Sequence, residues 1–101
     1  MTITPTSLFE AIAKKCNKYT YKLHGSSTYS KMKKSGNGDC HAFSELIFNE
    51  LKTYGVSCKI VEYATNLSEH HRSVLYKDKN NKWVDFPYKT YNLNKNLYNT
   101  S

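Results

Sequence analysis

The fold of this chain is decided by residues 38–55, which read GDCHAFSELIFNELKTYG. Asp39 is a good N-cap, because its carboxylate can accept hydrogen bonds from the free N–H groups at a helix start. Five apolar residues then recur at steps of three and four and form one face of a helix: Phe43, Leu46, Ile47, Leu51 and Tyr54. Gly55 is a natural C-terminal cap. We therefore predict a central helix between Asp39 and Gly55, with Cys40 at its first turn and on the buried face.

The rest of the chain predicts helices before this one and strands after it. Apolar residues at helical spacing follow Pro5 and predict a first helix that ends at Lys15, and residues 29–34 predict a short helical turn. Three later segments are rich in β-branched and aromatic residues and predict strands: residues 56–63, 71–76 and 83–86. We expect a three-stranded antiparallel meander and a single α+β domain over residues 1–101.

The charge balance is strongly basic. Fifteen Lys and Arg residues against eight Asp and Glu residues give a net charge of +7. Such a balance suits an anionic partner, such as nucleic acid, a membrane surface or an acidic polymer. The basic residues are scattered, however, apart from residues 31–34 and 77–79, and only one of them is Arg. Because Arg grips phosphate and reads bases, we expect a solvated basic surface and no nucleic-acid partner.

Cysteine usage and apolar runs narrow the class of protein further. The three cysteines cannot all pair within the chain, and none belongs to a CxxC motif, so we expect reduced thiols. No apolar run approaches the roughly 20 residues that span a bilayer. Residues 1–5 lack the basic start and the apolar core of a signal peptide. Either the chain is not secreted by that route or it is a domain of a longer protein.

Cys40, His71 and Asp85 are the candidate catalytic residues. A cysteine at the first turn of a helix lies among free N–H groups and the helix dipole, so we expect a lowered thiol pKa. Alkylation should then label Cys40 faster than Cys16 or Cys58. A histidine can act as the base, and a carboxylate can hold its imidazole in the useful tautomer. Each residue also has an ordinary structural explanation, as a core thiol, a core histidine or a turn carboxylate.

The pairing of the last two strands is open at this level. A hairpin loop of three or five residues is expected to place Asp85 opposite His71. A loop of two or four residues is expected to place it opposite His70 instead.

Several of these motifs together resemble the core of the transglutaminase-like, papain-related cysteine enzyme superfamily. They are Gly38-Asp39-Cys40, the helix with its exit at residues 54–56, His71 and Trp83-Val84-Asp85, in that order. The stretches SEHHRSV at residues 68–74 and KWVDFPY at 82–88 are closer still to the pseudomurein endoisopeptidases of methanogenic archaea and their viruses. The resemblance covers roughly residues 36–88.

The resemblance implies a papain/transglutaminase-like core, in which the central helix carrying the cysteine packs on a small antiparallel sheet. It implies a Cys-His-Asp triad with Cys40 as nucleophile, His71 as general base and acid, and Asp85 as orienting carboxylate. The family's enzymes cut an isopeptide bond between an alanine carboxyl and a lysine side chain in archaeal cell-wall peptide, and they pass through a thioester. The partner would be the peptide cross-links of an anionic wall polymer.

Further expectations complete this prediction. We expect a monomer with no cofactor, no metal and no membrane partner. We expect it to stay in the cytoplasm until lysis, or to be the catalytic domain of a longer protein that acts on the cell wall. The wall-binding repeats that the family usually carries are not present in these residues. His70 offers a second imidazole. The backbone N–H of Cys40 is the best candidate for one oxyanion donor, and the region of Tyr29 and Ser30 is the candidate for a second.

Three alternatives stay open beside the hydrolase. A transglutaminase would run the same acylation but transfer the acyl group to an amine. Zinc could be bound by Cys40-His41 together with His70-His71, although adjacent residues point different ways, so each pair offers one ligand readily. Tyrosines interleaved with lysines, as at residues 18–22 and 88–89, could instead form a nucleic-acid- or polymer-binding module without catalysis.

Overall fold

The computed structural model of the chain describes residues 5–64, 71–94 and 97. Its elements in chain order are α1 (Pro5–Cys16), β1 (Thr20–Ser26), α2 (Tyr29–Ser35), β2 (Asn37–Gly38), α3 (Cys40–Thr53), β3 (Cys58–Tyr63), β4 (His71–Lys77) and β5 (Trp83–Asp85). Three helices combine with two small sheets, which confirms the predicted α+β class. None of the described helices is long and apolar enough to cross a membrane.

The central helix begins and ends close to the predicted residues. The Asp39 carboxylate accepts hydrogen bonds from the backbone N–H groups of His41 at 2.9 Å and Ala42 at 3.2 Å. These bonds satisfy two of the donors that a helix start leaves free. At the other end the helix stops at Thr53, and Gly55 takes a positive φ of 78° that favours glycine.

The three-stranded sheet has the predicted antiparallel order β3-β4-β5. A second sheet of two parallel strands joins β1 to β2 and was not predicted. Its pairing is short and irregular, since Gly38 partners both Tyr21 and Ser26 across a shift in register. Such a pairing depends on α2 bringing two distant segments together, so no local sequence pattern indicates it.

The hydrophobic core lies between the two long helices and one face of the three-stranded sheet. The Phe9 ring on α1 packs edge-on against Tyr76 at 4.8 Å and Phe86 at 5.4 Å between ring centroids. Alternate residues of the strands face the helices, and the Cys58 thiol on this face donates to the Phe48 carbonyl of α3 at 3.7 Å. Other core residues are Ile12, Cys16, Met32, Leu46, Ile47, Leu51 and Val74.

Candidate active site

Cys40 is the first residue of α3, and the close approach of the preceding chain fixes its position. A Cβ on Gly38 would lie 2.5 Å from the Met32 sulfur and 2.8 Å from the Ala42 Cβ. Only glycine therefore fits between α2 and the first turn of α3. The Cys40 side chain points along the buried face, as predicted, and is 5% exposed.

Burial controls the electrostatics of the Cys40 thiol. Its pKa is raised above the usual value, mainly because burial disfavours the thiolate, and the Asp39 carboxylate adds to the rise. Hydrogen bonds from the backbone N–H groups of Arg72, Cys40 and His41 lower the pKa but do not outweigh burial. The expectation of a lowered thiol pKa was therefore wrong. The helix start supplies the expected donors, but the thiol is also removed from water.

The first two turns of α3 dock against β4 at Arg72. The Ser44 hydroxyl, one turn after Cys40, donates to the Arg72 carbonyl at 3.1 Å. The Arg72 N–H donates to the Cys40 sulfur. Phe86 N–H donates to the Val74 carbonyl, so the main-chain groups of Val74 face β5. The main-chain groups of Arg72, two residues before Val74, point to the same edge of β4, but β5 does not extend far enough to pair with them. Side chains of α3 thus take the place of a longer β5.

His71, which precedes Arg72, is buried at the start of β4. It is 3% exposed, and its Nε2 atom has no hydrogen-bond partner in the part of the chain that the structure describes. The Tyr63 ring, its cross-strand partner, lies edge-on with ring centroids 5.2 Å apart. Burial lowers the pKa of His71, the Leu97 carbonyl raises it, and His41 lowers it further. A depressed pKa keeps the imidazole neutral and able to accept a proton.

Cys40 meets β4 at the residue next to His71, but the two side chains are not joined. The Cys40 sulfur accepts from the backbone N–H of Arg72, and His71 directly precedes Arg72 in the chain. No hydrogen bond links the thiol to the imidazole among the described contacts. Resting geometry of this kind is common in enzymes that tighten only when substrate binds.

Asp85 is paired with Leu75 and not with His71, so the expected register was wrong. Both expected pairings require a turn centred near Asp78, whereas the observed turn is centred on Asn80 and closes with Lys77 opposite Trp83. The Asp78 carboxylate sets this turn, because it accepts from the backbone N–H groups of Asn80 at 2.8 Å and Lys82 at 3.0 Å. The alternative base His70 lies outside the described residues.

The shifted register separates Asp85 from the imidazole. The position of Leu75, opposite Asp85, is four residues along β4 from that of His71, which corresponds to about 13 Å. Asp85 is exposed and, within the described ranges, forms no ion pair or hydrogen bond. The structure therefore brings Cys40 and His71 to the same end of β4 and leaves Asp85 farther along the sheet.

Asp85 instead lines a cavity of about 260 Å³ on the sheet face opposite α3. The cavity is lined by Tyr63, Ser73, Asp85, Phe86, Pro87, Tyr88, Lys89 and Thr90. The buried Ser73 hydroxyl donates to the Tyr88 hydroxyl at 3.3 Å, and the pKa of Tyr63 is raised by burial and lowered by its hydrogen bond with Ser73. The charges of Asp85 and Cys40 also raise the Tyr63 pKa, so both groups are within electrostatic range of the Tyr63 hydroxyl.

Three residues of this region were not predicted, namely Tyr63, Ser73 and Tyr88. Strand alternation is the signal that indicates Ser73, because it lies two residues after His71 and so on the same face. The region of Tyr29 and Ser30, expected to supply an oxyanion donor, is engaged elsewhere, since Tyr29 N–H donates to the Glu45 carboxylate at 3.4 Å. The Arg72 N–H, from β4, is the donor at the Cys40 sulfur that comes from outside α3.

The metal alternative finds no support in the described ranges, which hold no group of three or more His, Cys, Asp or Glu residues able to bind an ion. Its fourth candidate, His70, lies outside them. Comparisons of the chain with protein-family models, curated proteins and solved structures found no match.

Proposed function

We propose that the chain is a cysteine hydrolase that cleaves isopeptide bonds, with Cys40 as nucleophile and His71 as base. One observation carries the proposal: the Cys40 sulfur at the first residue of α3 receives the N–H of Arg72, next to a buried imidazole whose Nε2 has no described partner. A cysteine-bearing helix docked on an antiparallel sheet also fits the papain/transglutaminase-like core that the sequence resembles.

The reaction begins with proton transfer from the Cys40 thiol to His71. The thiolate attacks the carbonyl carbon, and the backbone N–H groups of Cys40 and Arg72 stabilise the oxyanion that forms. The C–N bond then breaks, the amine leaves with the proton from the imidazolium, and a thioester remains on Cys40. Water attacks the thioester with His71 as base, which releases the acid and restores the thiol.

This mechanism uses a dyad and gives Asp85 a different role. In the observed register its carboxylate is too far from His71 to orient the ring, whereas it faces the cavity beside Tyr63 and Ser73. The Leu97 carbonyl, which raises the pKa of His71, is the acceptor that steadies the imidazolium. We assign Asp85 to substrate binding in the cavity.

The substrate class comes from the resemblance to pseudomurein endoisopeptidases. Their target is an alanine carboxyl joined to a lysine side chain, and the cross-linked wall polymer is anionic. A net charge of +7 suits such a polymer.

The test is mass analysis of a peptide whose alanine carboxyl is joined to a lysine ε-amine. The protein should release two fragments whose summed mass exceeds the peptide by one water, and Cys40→Ala should release none. A matched peptide joined through the α-amine serves as the specificity control. Absence of cleavage by the intact protein, on this peptide and on pseudomurein, would refute the hydrolase.

A transglutaminase remains the second candidate, because both reacting residues are almost fully buried and water has little access to them. Adding a simple primary amine such as methylamine separates the two reactions. An N-methylamide product formed in place of the acid identifies transfer, whereas unchanged acid release identifies hydrolysis.

A further inference from the structure

Trp83, the single tryptophan of the chain, lies on the sheet face opposite α3 and is 41% exposed. Two ammonium groups approach its ring. The Nζ atom of Lys59 is 4.3 Å and that of Lys77 is 5.2 Å from the ring centroid. Cations bind the face of an aromatic ring through its quadrupole, and an exposed ring holding two of them is a concentrated positive patch.

The strand register builds this patch from all three strands. Lys77 on β4 is directly opposite Trp83 on β5, and Lys59 on β3 is opposite Leu75, two residues along β4. All four side chains lie on the same face, because cross-strand partners share a face and side chains alternate. The patch defined by Lys59, Lys77 and Trp83 is therefore held by the sheet itself and not by a loop.

No described acidic side chain pairs with the lysines of the patch. The ion pairs in the described part of the chain are Lys15–Glu50 and Arg72–Glu62, and neither includes Lys59 or Lys77. Asp85, two residues after Trp83 and on the same face of β5, forms no ion pair with either lysine among the described contacts. Two lysine charges against one carboxylate leave a positive surface around an exposed apolar ring.

We propose that Lys59, Lys77 and Trp83 bind an anionic polysaccharide. Each lysine exchanges its weak contact with the ring for a carboxylate or sulfate of the polymer. The indole face freed in this way packs against the C–H face of a sugar ring, an apolar surface of matching size. The inference does not rest on the proposed catalytic role, because none of these three residues contacts Cys40 or lines the cavity beside Asp85.

A nucleic acid fits the patch less well. Sites for single-stranded nucleic acids combine several stacking aromatic side chains along a basic groove, whereas the patch contains one, Trp83. The only Arg of the chain, Arg72, is paired with Glu62 at 3.0 Å and is not part of the patch. Two lysine charges on neighbouring strands, beside a single indole, suit the regularly spaced carboxylates of a polyuronate, a chain of acidic sugars.

The test is a titration with polygalacturonate, in which the fluorescence of Trp83 reports on the patch because no other tryptophan contributes. We expect a saturable change that weakens as salt rises from about 50 to about 300 mM, since the contacts are between exposed charges. Lys59→Gln/Lys77→Gln should weaken binding about tenfold or more. The matched control Lys14→Gln/Lys34→Gln removes the same charge from α1 and α2 and should bind almost as well as the parent.

Two results would overturn the proposal. Equal weakening of both double variants would show that binding follows net charge alone. Tighter binding of a single-stranded oligonucleotide than of polygalacturonate, with the same sensitivity to Lys59→Gln/Lys77→Gln, would assign the patch to nucleic acid. Dextran, a neutral polymer, should leave the fluorescence unchanged. Activity on the isopeptide substrate is measured separately, so loss of either function leaves the other testable.

Discussion

The Tyr88 hydroxyl accepts a hydrogen bond from the Val74 backbone N–H at 3.1 Å, at the point where β5 has left β4. The last main-chain bond between these segments runs from Phe86 N–H to the Val74 carbonyl at 3.0 Å. Tyr88 thus supplies from its side chain the acceptor that a longer β5 would supply from its backbone. The Ser73 hydroxyl donates to the same oxygen at 3.3 Å, so this contact also forms the buried wall of the cavity.

Removing that oxygen should destabilise the fold. Tyr88→Phe keeps the ring but leaves the Val74 N–H without its acceptor and removes the bond that the Ser73 hydroxyl donates to Tyr88. We expect the free energy of unfolding to fall by about 1–3 kcal/mol in denaturant titrations. Tyr54→Phe, at a tyrosine that is 50% exposed, is the control and should change stability by less than about 0.5 kcal/mol. Equal effects of the two variants would contradict the assigned role of Tyr88.

His71 should make stability depend on pH. Its pKa in the folded state is below the ordinary value of 6.5, so the unfolded chain binds the proton more tightly. Its contribution to stability is therefore complete above pH 6.5 and is lost as the pH falls from 6.5 toward the folded value. His71→Gln should remove this part of the pH dependence in unfolding experiments between these values.

The control for this effect is His24→Asn. His24 is exposed and has a positive φ of 65°, which Asn tolerates. This variant should retain the pH dependence of the parent. A parent curve that coincides in shape with that of His71→Gln would show that burial of His71 does not shift its protonation.

The cysteines should react with iodoacetamide in an order set by burial. Cys58 is partly exposed, Cys40 is 5% exposed with a raised pKa, and Cys16 is 2% exposed with its pKa raised by burial to about 12. We expect Cys58 to be labelled first and Cys16 last, and labelling of Cys40 to increase as the pH rises above the ordinary thiol value. Peptide mass mapping after timed quenching measures all three rates. Fastest labelling of Cys40 at neutral pH would instead indicate a preformed thiolate.

Substitution of Asp85 tests the strand register through catalysis. His71→Ala should lower the rate of thioester formation by orders of magnitude, because the base is lost. Asp85→Asn should mainly raise KM and leave kcat within about threefold, because its carboxylate faces the cavity and not the imidazole. Both values come from steady-state cleavage of the isopeptide-linked peptide. A collapse of kcat in Asp85→Asn with an unchanged melting temperature would mean that the carboxylate reaches His71 during turnover, as in a triad.

Much of the fold was predictable because its determinants are local. Asp39 caps α3 through N–H groups two and three residues away, and the apolar spacing from Phe43 to Leu51 defines the buried face of one helix. The three antiparallel strands follow from β-branched runs separated by polar turns. The positions of Cys40 at the start of α3 and of His71 at the start of β4 were predictable for the same reason, because each is set by its own segment.

The way in which those segments meet follows from long-range contacts. The Asp78 carboxylate centres the hairpin turn on Asn80, so Asp85 faces Leu75, a shift in register that strand patterns do not reveal. The packing of α3 on β4 buries Cys40 and raises its pKa, although the helix start by itself favours the thiolate. Capping and periodicity depend on neighbouring residues, so they can be predicted from local sequence. Register and burial depend on contacts between residues far apart in the chain, so they cannot.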